Sequence, residues 1–292
     1  MAEEVKTISE QITKIANGLT KDLQGAISEL TELGRGMCFD VRGQRLADLS
    51  LNMIDIIDRN LYERTCDVRW WATDASVVEA LTTRDPQRCA NASRRLAVIL
   101  DSYTVYLDIW IADTHGHVIA SGRSNELGSI LGSNVAKAPW FTEAMRHSSG
   151  EQYFAGEVAI EPLLNGVCSC VFSAAVRANA EKKSPVIGVV GVFFDWKNQA
   201  QSVINSVRLS DEERARSRVM IIDANHKIIA SSNIQDRLGQ SVEIRSKANQ
   251  SAGYATLSRD YIQGYSMTPG FETWPGMGWL GVIEQQLPAI DI

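Results

Sequence analysis

The residues best suited to chemistry cluster in the segment Tyr106-Leu107-Asp108-Ile109-Trp110. Read as a strand, it turns Val105, Leu107, Ile109 and Ile111 to one side and Tyr106, Asp108 and Trp110 to the other. A carboxylate flanked by two aromatic rings suits a ligand with a flat or cationic part, because ring faces attract cations and one acid neutralises them. The same trio also fits an exposed or interface face with Asp108 in solvent. Trp140 and Phe141 read either as a lid over such a face or as core aromatics, and Tyr153, close after Gly150, as a hydroxyl at a pocket mouth or a surface residue. Asp195 shares a strand face with Phe193 and with Gly191, which lets a ligand or backbone approach closely; equally, Asp195 caps the helix that follows.

Other chemistry-bearing residues carry less. His115-Gly116-His117 offers two imidazoles without a partner Cys, Asp or Glu at metal-site spacing, so no metal is expected. Cys168 and Cys170 face one side of a strand with Phe172 and read as core, ahead of a redox pair. A nucleophile elbow, a P-loop and an HExxH pair are all absent from the sequence. The expectation is a ligand-binding module with no cofactor and no catalytic residue, ahead of a dimerising spacer without ligand and, last, of a hydrolase built on Asp108 or Asp195 with a histidine.

Helices come first in the elements that must hold these residues. Ile8, Ile12, Ile15, Leu19, Ala26, Leu30 and Leu33 recur at steps of four and three, lapsing at Asp22, with charged and amide side chains between them. That is a heptad seam, read either as an amphipathic helix on its own domain or as a parallel coiled coil joining two subunits. Gly34 and Gly36 are expected to interrupt it. A second helical region is predicted over residues 44–81, with Leu49, Met53, Ile56, Ile57 and Leu61 on one stripe, and a third over residues 86–102. Trp70 and Trp71, adjacent on the helix, are expected to pack in different directions, one of them at a subunit contact.

Beyond Tyr103 the apolar period falls towards two and an internal repeat appears. Aligning Asp113 with Asp223 superposes Ile119-Ala120-Ser121 on Ile229-Ala230-Ser231 without a gap, and Leu131-Gly132 and Leu238-Gly239 follow. Each copy reads as strand, Asp-initiated turn, strand. A short helix opens at Pro139-Trp140-Phe141. Strands are predicted over 167–176 and 186–196, a helix over 199–216, and further strands near 253–258, 261–267 and 279–284. The fold class is α+β: two tandem modules with antiparallel sheets on a long N-terminal helical stalk, divided as residues 1–100, 101–200 and 201–292.

Composition bounds the function. With 292 residues, 45% of them hydrophobic, the chain can bury a sizeable core. Its 29 Lys+Arg against 35 Asp+Glu give a net charge of −6 without long single-sign blocks, which argues against a nucleic-acid partner. The longest apolar run, residues 186–194, falls well short of the roughly 20 residues that span a bilayer. Five irregularly spaced cysteines suit a reducing compartment.

In combination, the hairpins at residues 113–121 and 223–231, the helix opening at Ala138-Pro139-Trp140-Phe141 and the strand Gly188-Val189-Val190-Gly191-Val192-Phe193-Phe194-Asp195-Trp196 resemble the double Cache sensors of bacterial chemotaxis receptors, histidine kinases and cyclic-di-GMP enzymes. The resemblance covers residue 81 to the end. It implies two PAS-like modules on one long helix, a small ligand in the first, and signalling through the stalk to an effector or chemotaxis kinase machinery, with a homodimer as partner state. The amino-acid-binding subset carries Tyr, Arg, Trp-Tyr and an Asp where this chain has Ser133, Ala138, Trp140-Phe141 and Phe193, so amino-acid specificity is not implied. Lys137 or Arg123 can supply the missing cation and Asp195 the acid. The kinase-contacting hairpin tip of those receptors and the GGDEF and phosphoacceptor-His motifs are not in the sequence. With the stalk entering the sensor without a membrane span, the expected placement is cytoplasmic, the alternative being an extracytoplasmic sensor excised from a membrane receptor.

Overall fold

A computed structural model describes residues 2–123, 130–245, 250–258 and 260–288. The chain opens with α1 (Ala2–Trp71), a single helix of 70 residues. Gly34 and Gly36 do not interrupt it: neither has a positive φ, and a Cβ at either would meet open space. With no tertiary contact to impose a turn, the cost of about 1 kcal/mol per glycine bends nothing. The helix stops where the sequence reading runs on. Asp74 accepts from the Ser76 amide at 2.9 Å and starts α2 (Ala75–Thr83), splitting the predicted second helix by an N-cap. Arg84 takes the left-handed conformation at φ 54°, and Asp85 then caps α3 (Pro86–Ser102), with proline in its first turn.

The first sheet contains β1 (Tyr106–Asp113) and β2 (Val118–Ser121). After α4 (Pro139–Met145) come β3 (Phe154–Ala155), β4 (Ala159–Glu161), β5 (Val167–Arg177) and β6 (Val186–Phe194). Its order is β2-β1-β6-β5-β3, with β4 also on β5. Next, α5 (Trp196–Ser206) and α6 (Asp211–Ala215) replace the one predicted helix. Ser210 forms a capping box with Glu213 and so begins a new helix there. The second sheet comprises β7 (Ser217–Ile222), β8 (Ile228–Ser231), β9 (Ala252–Ser258), β10 (Tyr261–Met267) and β11 (Leu280–Gln286), in the order β8-β7-β11-β10-β9. All strand pairs are antiparallel. The architecture is thus α+β, two antiparallel sheets on one long helix.

The repeat read from the sequence is a repeat of turn geometry. Asp113 Oδ1 accepts from the amides of His115 at 2.8 Å and His117 at 3.0 Å; Asp223 Oδ1 accepts from Asn225 at 2.8 Å and Lys227 at 2.9 Å. The left-handed position falls on Gly116 in one turn and on His226 in the other. Downstream, the Gly132 amide donates to Val118 and the Gly239 amide to Ile228, both at 2.8 Å.

The C-terminal half of α1 serves both sheets. Leu46, Met53, Ile54, Ile57, Leu61, Val68 and Trp71 are all buried in one core that reaches Val190 and Val192 of the first sheet and Ile262 and Ile283 of the second. In β10, a Cβ at Gly264 would lie 2.5 Å from Leu46 Cβ and 2.6 Å from its carbonyl carbon, so only glycine lets the helix lie this close. The far faces of the sheets carry separate cores, around Trp110 in the first and around Met220 and Tyr265 in the second.

Candidate ligand site

Which predicted residues meet is decided at the start of β1. Its pairing with β6 is irregular between Tyr106 and Asp108: Tyr106 lies opposite Phe194 and Asp108 opposite Phe193. This bulge breaks strict alternation and corrects two assignments. Tyr106 turns to the α1 side and Leu107 to the far side. The Tyr106 hydroxyl donates to Asp67, whose carboxylate lies 3.3 Å from Arg64, and the Arg64 guanidinium sits 5.0 Å above the tyrosine ring. Burial pushes the phenol pKa far up, with the Asp67 charge adding to it.

Asp108 is fully buried and already has its partners. It accepts from the Ile109 amide at 2.7 Å, the Trp110 indole N–H at 2.7 Å, the Ser121 hydroxyl at 2.6 Å and the Arg123 amide at 3.1 Å. Burial raises its pKa while these donors oppose the rise. It ties the end of β2 to β1 rather than standing in solvent. Arg123 completes the knot, its Nε donating to the Leu107 carbonyl at 2.9 Å.

On the far face, Trp110 lies 3.9 Å from Phe193 and 6.4 Å from Trp140, centroid to centroid. Trp140 stands edge-on to Phe193 at 5.8 Å and to Phe141 at 6.1 Å. The helix α4, opened by Pro139, lays Trp140 across Gly191, where an added Cβ would come 2.9 Å from the indole ring. The Ser173 hydroxyl, donating to the Trp140 carbonyl at 2.6 Å, fixes the helix to β5. Trp110, Trp140 and Phe141 are therefore brought together, with Phe193 as a fourth ring. All four are at most 5% exposed, so the rings close on one another and their faces are shut off from solvent.

The remaining predicted residues lie elsewhere. Lys137 is exposed. Tyr153 is on the α1 side, under the Arg69 guanidinium at 5.3 Å and beside Trp274 at 6.2 Å. Asp195 caps α5, accepting from the Asn198 amide at 3.3 Å and side chain at 2.7 Å. His115 and His117 project from the turn into solvent, and the described residues contain no group of three or more metal-ligating side chains. Burial raises the Cys168 thiol to about 11, with the Asp195 charge adding to the rise; Cys170 is fully buried and raised further. Thiols held this far above neutrality are poor nucleophiles. Sequence reasoning missed Arg64, Asp67 and Arg69, whose only signal is a charged run on the apolar helix α1.

No family model matches the chain, and no curated protein sequence does. Solved structures do match in fold. The sensor domain of the histidine kinase DctB from V. cholerae superposes with a TM-score of 0.61 at 17% identity, over 84% of this chain and 98% of that one. An extracellular ligand-binding receptor from Desulfohalobium retbaense gives 0.57 at 12%, over 82% and 40%. The ligand-binding domain of the Pseudomonas fluorescens chemoreceptor CtaA, in complex with L-serine, gives 0.54 at 15%, over 84% and 94%. No helix among the described residues is long and apolar enough to cross a membrane. Two antiparallel sheets on one shared helix, the turn-for-turn repeat and these superpositions together give the chain the double Cache sensor fold.

Proposed function

We propose that the chain is the ligand-sensing part of a bacterial signal-transduction receptor, taking a small metabolite against the Trp110, Trp140, Phe141 and Phe193 rings and passing the change along α1 to an effector. The observation that carries the reading is that one helix is core to both sheets. A shift of the first sheet on Trp71 and Val68 moves the same rod whose other end, from Ile8 to Val41, presents an apolar seam. Ligand binding then selects between two arrangements of sheet and helix. The proposed units are residues 1–100, 101–200 and 201–292, with the seam closing a homodimer and chemotaxis kinase machinery or a kinase effector downstream.

The ring faces favour a flat or cationic ligand. CtaA holds serine, but here Phe193 stands where the amino-acid-binding subset has its acid, and Lys137 points to solvent, so amino acids are not the proposed ligands. A dye-based melting screen of amines, purines and organic acids tests the reading: a compound that raises Tm in the native chain and not in Trp140→Ala supports it. No shift from any compound would sink it.

A second reading, a dimerising spacer without ligand, is favoured by the closure of the ring cluster. Bound density at Trp140 in protein freshly purified from cells would overturn that one. Placement in the cytoplasm rests on the five free cysteines and on the direct entry of the stalk into the sensor, the alternative being an extracytoplasmic sensor.

A further inference from the structure

The end of α1 borders a cleft that the ring face does not involve. Cys66, Arg69, Trp70 and Thr73 form one wall; Gly150, Glu151, Arg177, Glu181 and Lys182 form the other, and the space between is about 420 Å³. The second wall is a built one. The Gly150 amide donates to the Lys182 carbonyl at 2.9 Å, and Lys182 also binds the Glu151 carboxylate.

Two guanidiniums line this space, and neither is ion-paired with its glutamates. Arg177 is 6% exposed. Its Nη1 donates to the Ser184 carbonyl at 2.6 Å, its Nη2 donates to that of His147, and its Nε has no partner. Arg69 Nε donates to the Thr65 carbonyl at 2.8 Å, its Nη2 donates to the Thr65 hydroxyl at 3.3 Å and the Cys66 thiol at 3.6 Å, and the group lies over Tyr153. Among the described residues neither arginine has a carboxylate within ion-pair distance. A buried cation without a counter-charge is costly, and the arginine fork matches a carboxylate in geometry. Trp70 adds the second element: it is 67% exposed at the same cleft, while its neighbour Trp71 is buried against Tyr103 and Tyr106. An indole left in water beside two guanidiniums that lack a carboxylate partner is a platform for the apolar body of an anion.

We infer that this cleft is a second ligand site, for a small organic carboxylate held by Arg69 and Arg177 and stacked on Trp70. Glu181 at the rim and Glu151 opposite limit it to a single negative charge. The site joins the C-terminal turn of α1 to the hairpin between β5 and β6, and it stands apart from the ring-face reading, since Trp140→Ala does not touch it.

The test is ¹⁹F NMR of 4-fluorobenzoate with the whole chain. The expected result is saturable binding that weakens at least tenfold in Arg69→Gln and severalfold in Trp70→Ala, with 4-fluorobenzyl alcohol not binding and inorganic phosphate at equal concentration not displacing the probe. Both variants change exposed or half-buried side chains; Arg177→Gln is avoided because Arg177 holds two carbonyls in place. Lack of saturable binding, equal binding of the alcohol, displacement by phosphate, or full retention in either variant overturns the inference.

Discussion

Asp108 and Arg218 occupy matching places two residues before the strand positions that pair with Ser121 and Ser231. In the first sheet the buried charge is the acid, taking the Ser121 hydroxyl. In the second the matching residue is a half-buried base: Arg218 binds Asp236 at 2.8 Å, and Asp236 accepts from Ser231 at 2.5 Å. One structural role, closing the hairpin, is filled with opposite charges. Asp108→Asn turns an amide N–H₂ towards the Trp110 indole N–H or the Ile109 and Arg123 amides, none of which can accept it, and a loss of about 1–3 kcal/mol in urea unfolding is the expected outcome. Asp236 predicts a pH dependence. Burial opposes its ionisation, but hydrogen bonds from Arg218 and Ser231 hold its pKa below the ordinary value. Its contribution to stability is thus present above the unfolded carboxyl's pKa of about 3.9 and is lost as pH falls through the lower folded value. Asp236→Asn should unfold more easily than the native chain at pH 7, the gap narrowing below about pH 4; a gap constant down to pH 2 would contradict the pair's role.

At the scale of elements, the seam of α1 differs from a strict heptad. Ile8, Ile12, Ile15 and Leu19 keep steps of four and three, and then Leu23 and Ile27 follow in steps of four. Such a stutter returns the seam to the period of a straight helix and unwinds supercoil locally, which accounts for the apparent lapse at Asp22. The helix–sheet contact has a sharper requirement. Gly264→Ala places a methyl against the Leu46 backbone, which must move. A drop of about 1–3 kcal/mol in the urea midpoint is expected, with Gly18→Ala, in open space, neutral or stabilising.

For the whole molecule, ten large apolar residues between Ile8 and Val41, all but Phe39, are more than half exposed in one chain. A stripe of this length is a liability unless a second copy covers it. Sedimentation should find a dimer in the native chain and a monomer in Ile15→Lys/Leu30→Lys, with the far-UV signal of the two sheets kept; a native monomer would remove the proposed route out of the sensor.

Much of this was legible in the sequence because period and turn chemistry are local. The first residue of α3, the strand β10, the proline opening of α4 and the two Asp turns follow from residues within a few positions of each other, and the repeat survives because the same bonds close each turn. What the tertiary structure alone decided is the side each candidate faces and the groups it meets. The bulge after Tyr106 reverses its face; Asp108 finds four donors among residues up to fifteen positions away; Phe193, apparently a lost acid, becomes a wall of the ring cluster. Arg69 and Arg177 share a cleft although more than a hundred residues separate them, because β5 packs on α1. Local rules set the elements; long-range packing set which side chains confront each other.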